Sequence, residues 1–227
     1  MQKRYIPAMF FFVILLILLA HFGGRLYAVP AMTYAAEEKR IYLTFDDGPS
    51  TKVTERVLDI LKEEKVKATF FIVSDRVSGR KETLRRMAAE GHTLGVHSKS
   101  HVYSEIYASE EAFLKDVNAC AKVITKTTGK IPHVYRFPGG GMKYRERYTA
   151  LLEQKGYTVV RWNAVCGDEE IMGANAETLV NTAIQSSKGK NNVVMLLHDS
   201  ASHTATAEAL PAIIEHFREH GYAFCAY

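Results

Sequence analysis

The stretch Ile41-Tyr42-Leu43-Thr44-Phe45-Asp46-Asp47-Gly48-Pro49 decides how the rest of the chain is read. Its apolar start has the character of a buried strand, and Gly48-Pro49 ends it. Two adjacent carboxylates therefore sit at the carboxyl end of a strand, which is where α/β folds place their chemistry. Taken alone, Asp-Asp-Gly is ordinary turn chemistry. Its meaning depends on what the other strand ends carry.

From Arg40 onward, short apolar runs alternate with longer helical patterns. Strands are expected at 40–45, 68–73, 93–97, 134–137, 157–162, 193–197 and 222–225. Between them, Val53, Val57, Leu58 and Leu61 recur at helical spacing with Thr51 as the cap. Leu84, Met87 and Ala88 mark a second helix. Ser109-Glu110-Glu111 opens a long one that ends at Gly129, and three more cover 144–155, 176–185 and 207–220. Such alternation means a parallel sheet with crossover helices. Seven strands in about 190 residues are too few for an eightfold barrel of ~250 residues. A compressed or incomplete parallel barrel is expected, with a doubly wound open sheet as the competing arrangement.

The N-terminal segment reads separately. Met1-Gln2-Lys3-Arg4 is a basic head, and a 16-residue apolar run from Tyr5 to Ala20 follows, interrupted only by Pro7. The run is shorter than the ~20 residues of a straight spanning helix and also fits the core of a secretory signal. Small-residue sites follow at Leu26-Tyr27-Ala28 and Thr33-Tyr34-Ala35. Residues 1–36 are thus expected to be a cleaved signal or a retained membrane anchor, and residues 37–227 an extracytoplasmic domain.

Composition narrows the function classes. The 227 residues are 47% hydrophobic and 24% charged, enough for one domain with a sizeable core. A net charge of +4 without a dense basic run argues against nucleic-acid binding. Cys120, Cys166 and Cys225 have no zinc-knuckle spacing, and their odd number leaves room for at most one bridge.

Polar residues of reactive type fall at strand ends. Asp46 and Asp47 end the first strand, His97-Ser98-Lys99-Ser100-His101 the third, and Arg136-Phe137-Pro138-Gly139-Gly140-Gly141 the fourth. Asp168 follows the fifth, and His198-Asp199 ends the sixth. In a parallel barrel these ends share one rim. His97 and His101 can meet one metal ion if the backbone turns helically between them, since i and i+4 share a helix face. Two imidazoles and one carboxylate leave open positions, the pattern of a catalytic site, and suit zinc, cobalt, nickel or iron. Of two adjacent aspartates, one can bind the ion while the other takes a proton from water. Arg136 can hold the second carboxylate ionised. His198 suits a general acid oriented by Asp168. Leu196, two residues earlier, points the same way and can wall a small acyl methyl. His92, His133 and His203 read as surface residues, and Asp199 as a supporting or turn residue.

Together these residues resemble the family 4 carbohydrate esterases, the polysaccharide deacetylases with NodB homology. The resemblance runs from about Arg40 to Tyr227. It rests on Thr44-Phe45-Asp46-Asp47-Gly48-Pro49, His97-Ser-x-x-His101, Arg136-Phe137-Pro138-Gly139-Gly140, Trp162 through Asp168, and Leu196-Leu197-His198, in that order. It implies a distorted (β/α)7 barrel and metal-dependent removal of acetyl groups from polysaccharides. By position it implies Asp46 as base, Asp47, His97 and His101 as ligands of one divalent ion, Arg136 as the partner of Asp46, Asp168 as the partner of His198, and His198 as acid. The ion is expected to be zinc, with cobalt or nickel as alternatives. Leu196, Pro138, Gly139 and Trp162 are expected to line the substrate pocket. The expected partner is an acetylated cell-wall glycan, peptidoglycan first, with chitooligosaccharides or acetylxylan as alternatives. Membrane contact is expected only through residues 1–36, and a monomer is the expected state. A non-catalytic glycan-binding module on the same fold is the competing class. Two departures from the family pattern bear on pocket shape: a triple glycine where an aromatic is usual, and Glu169 where a tryptophan usually follows the motif aspartate.

Overall fold

The computed structural model describes residues 38–141 and 145–227. The expected signal or anchor at 1–36 lies outside the described residues. Among the described residues no helix is long and apolar enough to cross a membrane.

Strands β1 (Arg40–Asp46), β2 (Thr69–Val73), β3 (Thr93–Ser98), β4 (Val134–Tyr135), β5 (Thr158–Val159), β6 (Ala164–Val165), β7 (Asn192–His198) and β8 (Ala223–Cys225) form one sheet. Every pairing is parallel, in the order β5-β4-β3-β2-β1-β7-β6. β8 pairs the start of β1, through Arg40 to Tyr42, while β2 pairs its end, through Thr44 to Asp46. Helices α1 (Val53–Glu63), α2 (Lys81–Ala89), α3 (Tyr103–Ile106), α4 (Glu110–Thr128), α5 (Arg145–Gln154), α6 (Ala176–Ser187) and α7 (Thr204–Glu219) supply the crossovers.

The strand expected at 157–162 is broken: only Thr158–Val159 falls within it, and a second piece, Ala164–Val165, lies beyond it. β5 pairs β4, then the chain runs on and β6 pairs β7 on the far side of the sheet. Backbone bonds mark the handover: Val160 N–H donates to the Tyr135 carbonyl, and Asn163 N–H to that of Val194. Only four residues separate β5 from β6, so the two outer edges must lie within reach of one another and the sheet must curl. Counting this broken strand once, seven parallel strands make the distorted (β/α)7 barrel, and the open doubly wound sheet is not formed.

Alternation along the strands sorts side chains into two cores. Ile41, Leu43 and Phe45 of β1, Phe70 and Ile72 of β2, and Val193, Met195 and Leu197 of β7 join the large cluster beneath the helices. Phe71, Val134, Val160 and Val194 form a small second cluster, with Tyr42, Trp162 and Tyr227 packed against it, inside the barrel. Asp46, Arg136, Leu196 and His198 have this second, inward parity. The pleat that buries the core thus also aims the reactive residues.

Helix boundaries follow ordinary chemistry. Ser109 caps α4 by accepting the Ala112 N–H, Glu110 and Glu111 occupy the first turn, and Gly129 ends it at φ +73°. Thr51 does not cap α1: Lys52 holds that position without a side-chain bond, and Ser50 Oγ instead accepts the Thr54 N–H.

Candidate active site

The β1 end is shaped by backbone constraint. Asp47 sits at φ +75°, in the left-handed region that non-glycine residues seldom occupy. The Arg76 guanidinium donates to its carbonyl. Gly48 can follow because it lacks a side chain: a Cβ there would lie 2.2 Å from Asp199 Oδ2. Successive residues, Asp46 on the strand and Asp47 on the turn, therefore present their carboxylates in different ways.

Asp46 is the end of an inward chain of bonds. Arg136 Nη1 donates to Asp46 Oδ1 at 2.9 Å and to Thr44 Oγ1 at 2.7 Å. The guanidinium is buried, 4.3 Å above the Phe71 ring and 5.6 Å from that of Trp162. Loss of either charge would strand the other in the interior.

Asp47 faces the two histidines. Its Oδ1 lies 3.6 Å from His97 Nε2 and 3.3 Å from His101 Nε2. One donor atom from each of the three falls within 4.8 Å of the others. Burial alone would raise the Asp47 pKa; His97, His101 and Arg76 outweigh it and hold the carboxyl lowered. Burial lowers the pKa of His101, which favours the neutral, ligating imidazole. His97 Nδ1 is 2.8 Å from the Arg136 carbonyl and so carries the proton, leaving the Nε2 lone pair toward Asp47. Asp47 Oδ1 is buried without a hydrogen-bond partner. An orphaned acceptor facing two imidazole lone pairs fits a cation, and these residues match the donor set of a divalent metal.

The two histidines do not converge by a helical turn. His97 is the extra residue where the β2–β3 register shifts, Ile72 facing Val96 and Val73 facing Ser98. His101 stands at φ +63° in a tight loop. Ser98 Oγ accepts the His101 N–H, while Asp116 Oδ2 of α4 accepts from Ser98 Oγ and the Lys99 N–H. Their rings come within 5.1 Å of each other.

His198 and Asp168 make the second half of the site. His198 Nδ1 is 2.9 Å from Asp168 Oδ1, and the His198 N–H donates to Oδ2 at 2.8 Å. Thr206 Oγ1 donates to the same Oδ2 at 2.7 Å. Burial would lower the His198 pKa, yet the Asp168 bond and charge raise it to about 9. Burial acts to raise the Asp168 pKa, and His198 and Thr206 overcome it and hold the carboxyl lowered.

One cavity of about 230 Å³ is lined by Asp46, Asp47, His97, His101, Leu196 and His198, with Trp162 and Gly139 on its wall. Pro138, expected at the pocket, is not among the residues that line this cavity; its carbonyl accepts from the Tyr107 hydroxyl, and its neighbours Phe137, Gly139 and Gly140 do line it. Glu169, the departure expected to bear on pocket shape, also lines it, as do Tyr103 and Glu170, which the sequence reading did not single out. Tyr103 puts an aromatic ring against the triple glycine: a Cβ on Gly139 would come 2.9 Å from its hydroxyl. Its position two residues after His101 was the only available signal.

One expectation about the remaining histidines is corrected. His92 and His203 are buried rather than superficial. The three cysteines are free, and burial pushes the Cys166 thiol far up, which makes it inert. Asp199 is fully buried, accepts from Thr54 Oγ1 at 2.6 Å, and has its carboxyl pushed up to about 7 by burial.

Comparison with known proteins gives concordant results. The family model described as polysaccharide deacetylase matches residues 33–160. The chain is 35% identical to Bacillus subtilis YheN over 195 residues, which are 82% of this chain and 66% of that one. It is 32% identical to a Bacillus cereus peptidoglycan-N-acetylglucosamine deacetylase, covering 82% of this chain and 85% of the relative. It is 35% identical to the B. subtilis peptidoglycan-N-acetylmuramic acid deacetylase PdaC, covering 84% of this chain but only 38% of that longer one. Among solved structures, the catalytic domain of a peptidoglycan N-acetylglucosamine deacetylase from Eubacterium rectale superposes with a TM-score of 0.78 at 32% identity, covering 88% of this chain and 93% of that one.

Proposed function

The chain belongs to the polysaccharide deacetylase family and is a hydrolase, and from that premise we propose that it removes acetyl groups from N-acetylated sugars of an extracytoplasmic glycan, peptidoglycan first. The observation that carries this reading is the convergence in one cavity of an arginine-paired carboxylate, an Asp-His-His cluster and an aspartate-paired histidine. The named activities of the relatives support the wall glycan. Residues 1–36 are proposed to carry the domain out of the cytoplasm, as a signal or an anchor.

Asp47, His97 and His101 would hold one divalent ion, zinc first among those that imidazole and carboxylate donors suit, and when bound it would supply a Lewis acid. Asp46, kept ionised and oriented by Arg136, takes a proton from the attacking water as its oxygen bonds to the acetamide carbon. Gly139, on the cavity wall, would offer its backbone N–H to the resulting oxyanion. His198, protonated at Nε2 and held at Nδ1 by Asp168, gives that proton to the sugar nitrogen as the C–N bond breaks. Acetic acid leaves and ionises to acetate in solvent, the sugar keeps an amine, and Asp46 gives up its proton while His198 takes one up from solvent, which restores both groups. Leu196 and Trp162 wall the acetyl methyl.

Acetate release from N-acetylglucosamine oligomers and from peptidoglycan tests the reading, after metal stripping and single add-back of zinc, cobalt or nickel. Release should require an ion and fall by a factor of roughly 10² or more in Asp46→Asn, the range of general-base catalysis, with metal content unchanged. Undiminished turnover in that variant would sink the base assignment.

A further inference from the structure

Glu169 departs from the family pattern, and the structure places it inside the reaction cavity. Its Oε1 is 3.0 Å from Nε2 of the buried His203. A carboxylate oxygen of Glu169, one of Asp47 and a ring nitrogen of His198 lie within 4.8 Å of one another. His203 is itself fixed, its Nδ1 2.7 Å from Ser200 Oγ and its ring stacked 5.1 Å from that of His198. A tryptophan here would offer an apolar face; this chain offers a carboxylate held by a histidine.

The cation nearest it is the buried His198, and both arginines near the site are engaged elsewhere. Arg136 is occupied by Asp46, and Arg76 by the Asp47 backbone. Toward solvent the cavity wall carries Glu169 and Glu170, and no lysine or arginine lines it among the described residues. We infer that Glu169, held by His203, selects an N-acetylhexosamine whose neighbouring hydroxyl is free, and disfavours one whose hydroxyl carries a carboxylate-bearing ether. A carboxylate held by His203 accepts hydrogen bonds from sugar hydroxyls, and a substrate carboxylate in its place meets like charge at the solvent edge of the cavity, where the Glu169 side chain is 52% exposed. This rests on the deacetylase reading and deepens it, choosing unsubstituted over 3-O-lactyl sugars in a glycan where the two alternate.

The test uses the full, zinc-loaded chain on alternating glycan strands, with mass spectrometry locating each deacetylated sugar. The wild type should deacetylate the unsubstituted sugar. Glu169→Gln should narrow that preference by about tenfold, the scale of one mismatched polar contact. Glu169→Asp should recover part of it, and His203→Gln should shift it the same way as Glu169→Gln. As a measurement needing no variant, wild-type discrimination should weaken as ionic strength rises. Equal or preferred attack on lactyl-bearing sugars, or a preference unmoved by both Glu169→Gln and salt, would overturn the inference while leaving the deacetylase reading intact. No acetate from either sugar or from neutral N-acetylglucosamine oligomers would overturn the deacetylase reading itself.

Discussion

His198 keeps its proton up to about pH 9 although burial works against the charge, because Asp168 bonds both its ring and its backbone. The acid form is therefore present below that value and lost above it. Asp168→Asn removes the carboxylate and leaves the burial, so the pKa should drop toward or below the ordinary imidazole value of about 6.5. The alkaline limb of kcat should move down by about two pH units, measured with a soluble oligomer across pH 6 to 10. The same pair links stability to pH with opposite signs. The His198 contribution is complete below its unfolded pKa and disappears as pH rises through about 9. The Asp168 contribution is present above the ordinary carboxyl range and is lost on acidification, because its folded pKa is lowered.

The loop between β3 and α3 shows how an element carries a site it does not itself hold rigid. His101 needs a left-handed backbone, and the loop keeps it through Ser98 Oγ, which is in turn fixed by Asp116 on the neighbouring helix. Asp116 is buried and touches neither histidine ring in this bond chain. Asp116→Ala should weaken zinc binding by roughly 10- to 100-fold, the usual cost of losing a supporting group, as measured by calorimetric titration. Circular dichroism should still show the fold, since α4 retains its cap and its apolar face. Unchanged zinc affinity would show that the loop holds its shape without this carboxylate.

At the scale of the molecule, strand parity joins core and site. The inward positions of β1, β4 and β7 carry apolar side chains deep in the barrel and Asp46, Arg136 and His198 at its carboxyl rim. A cation that binds only this assembled rim stabilises the folded state. At one hundred times its dissociation constant, zinc should add about 2.7 kcal/mol and raise the melting temperature by roughly 5–10 °C, reversed by chelator, in a differential scanning experiment. Asp47→Ala should abolish most of that shift. The order of strands and helices, the seven-stranded parallel class and the reactive strand ends were legible in the chain, because local periodicity and glycine or proline punctuation set them. So was the different setting of Asp46 and Asp47, one paired with Arg136 and the other facing His97 and His101, which follows from adjacent residues at a strand end. What the sequence could not supply depends on distant groups meeting. The handover of β5 to β6 is set by barrel closure, and the convergence of His97 with His101 by a bulge and by Asp116 rather than by helical spacing. The burial of His203 against His198 and the aromatic wall given by Tyr103 were likewise decided by tertiary packing, which brings together residues whose spacing along the chain carries no sign of it, whereas Glu169 was marked in the chain by its place after Asp168 and only its pairing with His203 was not.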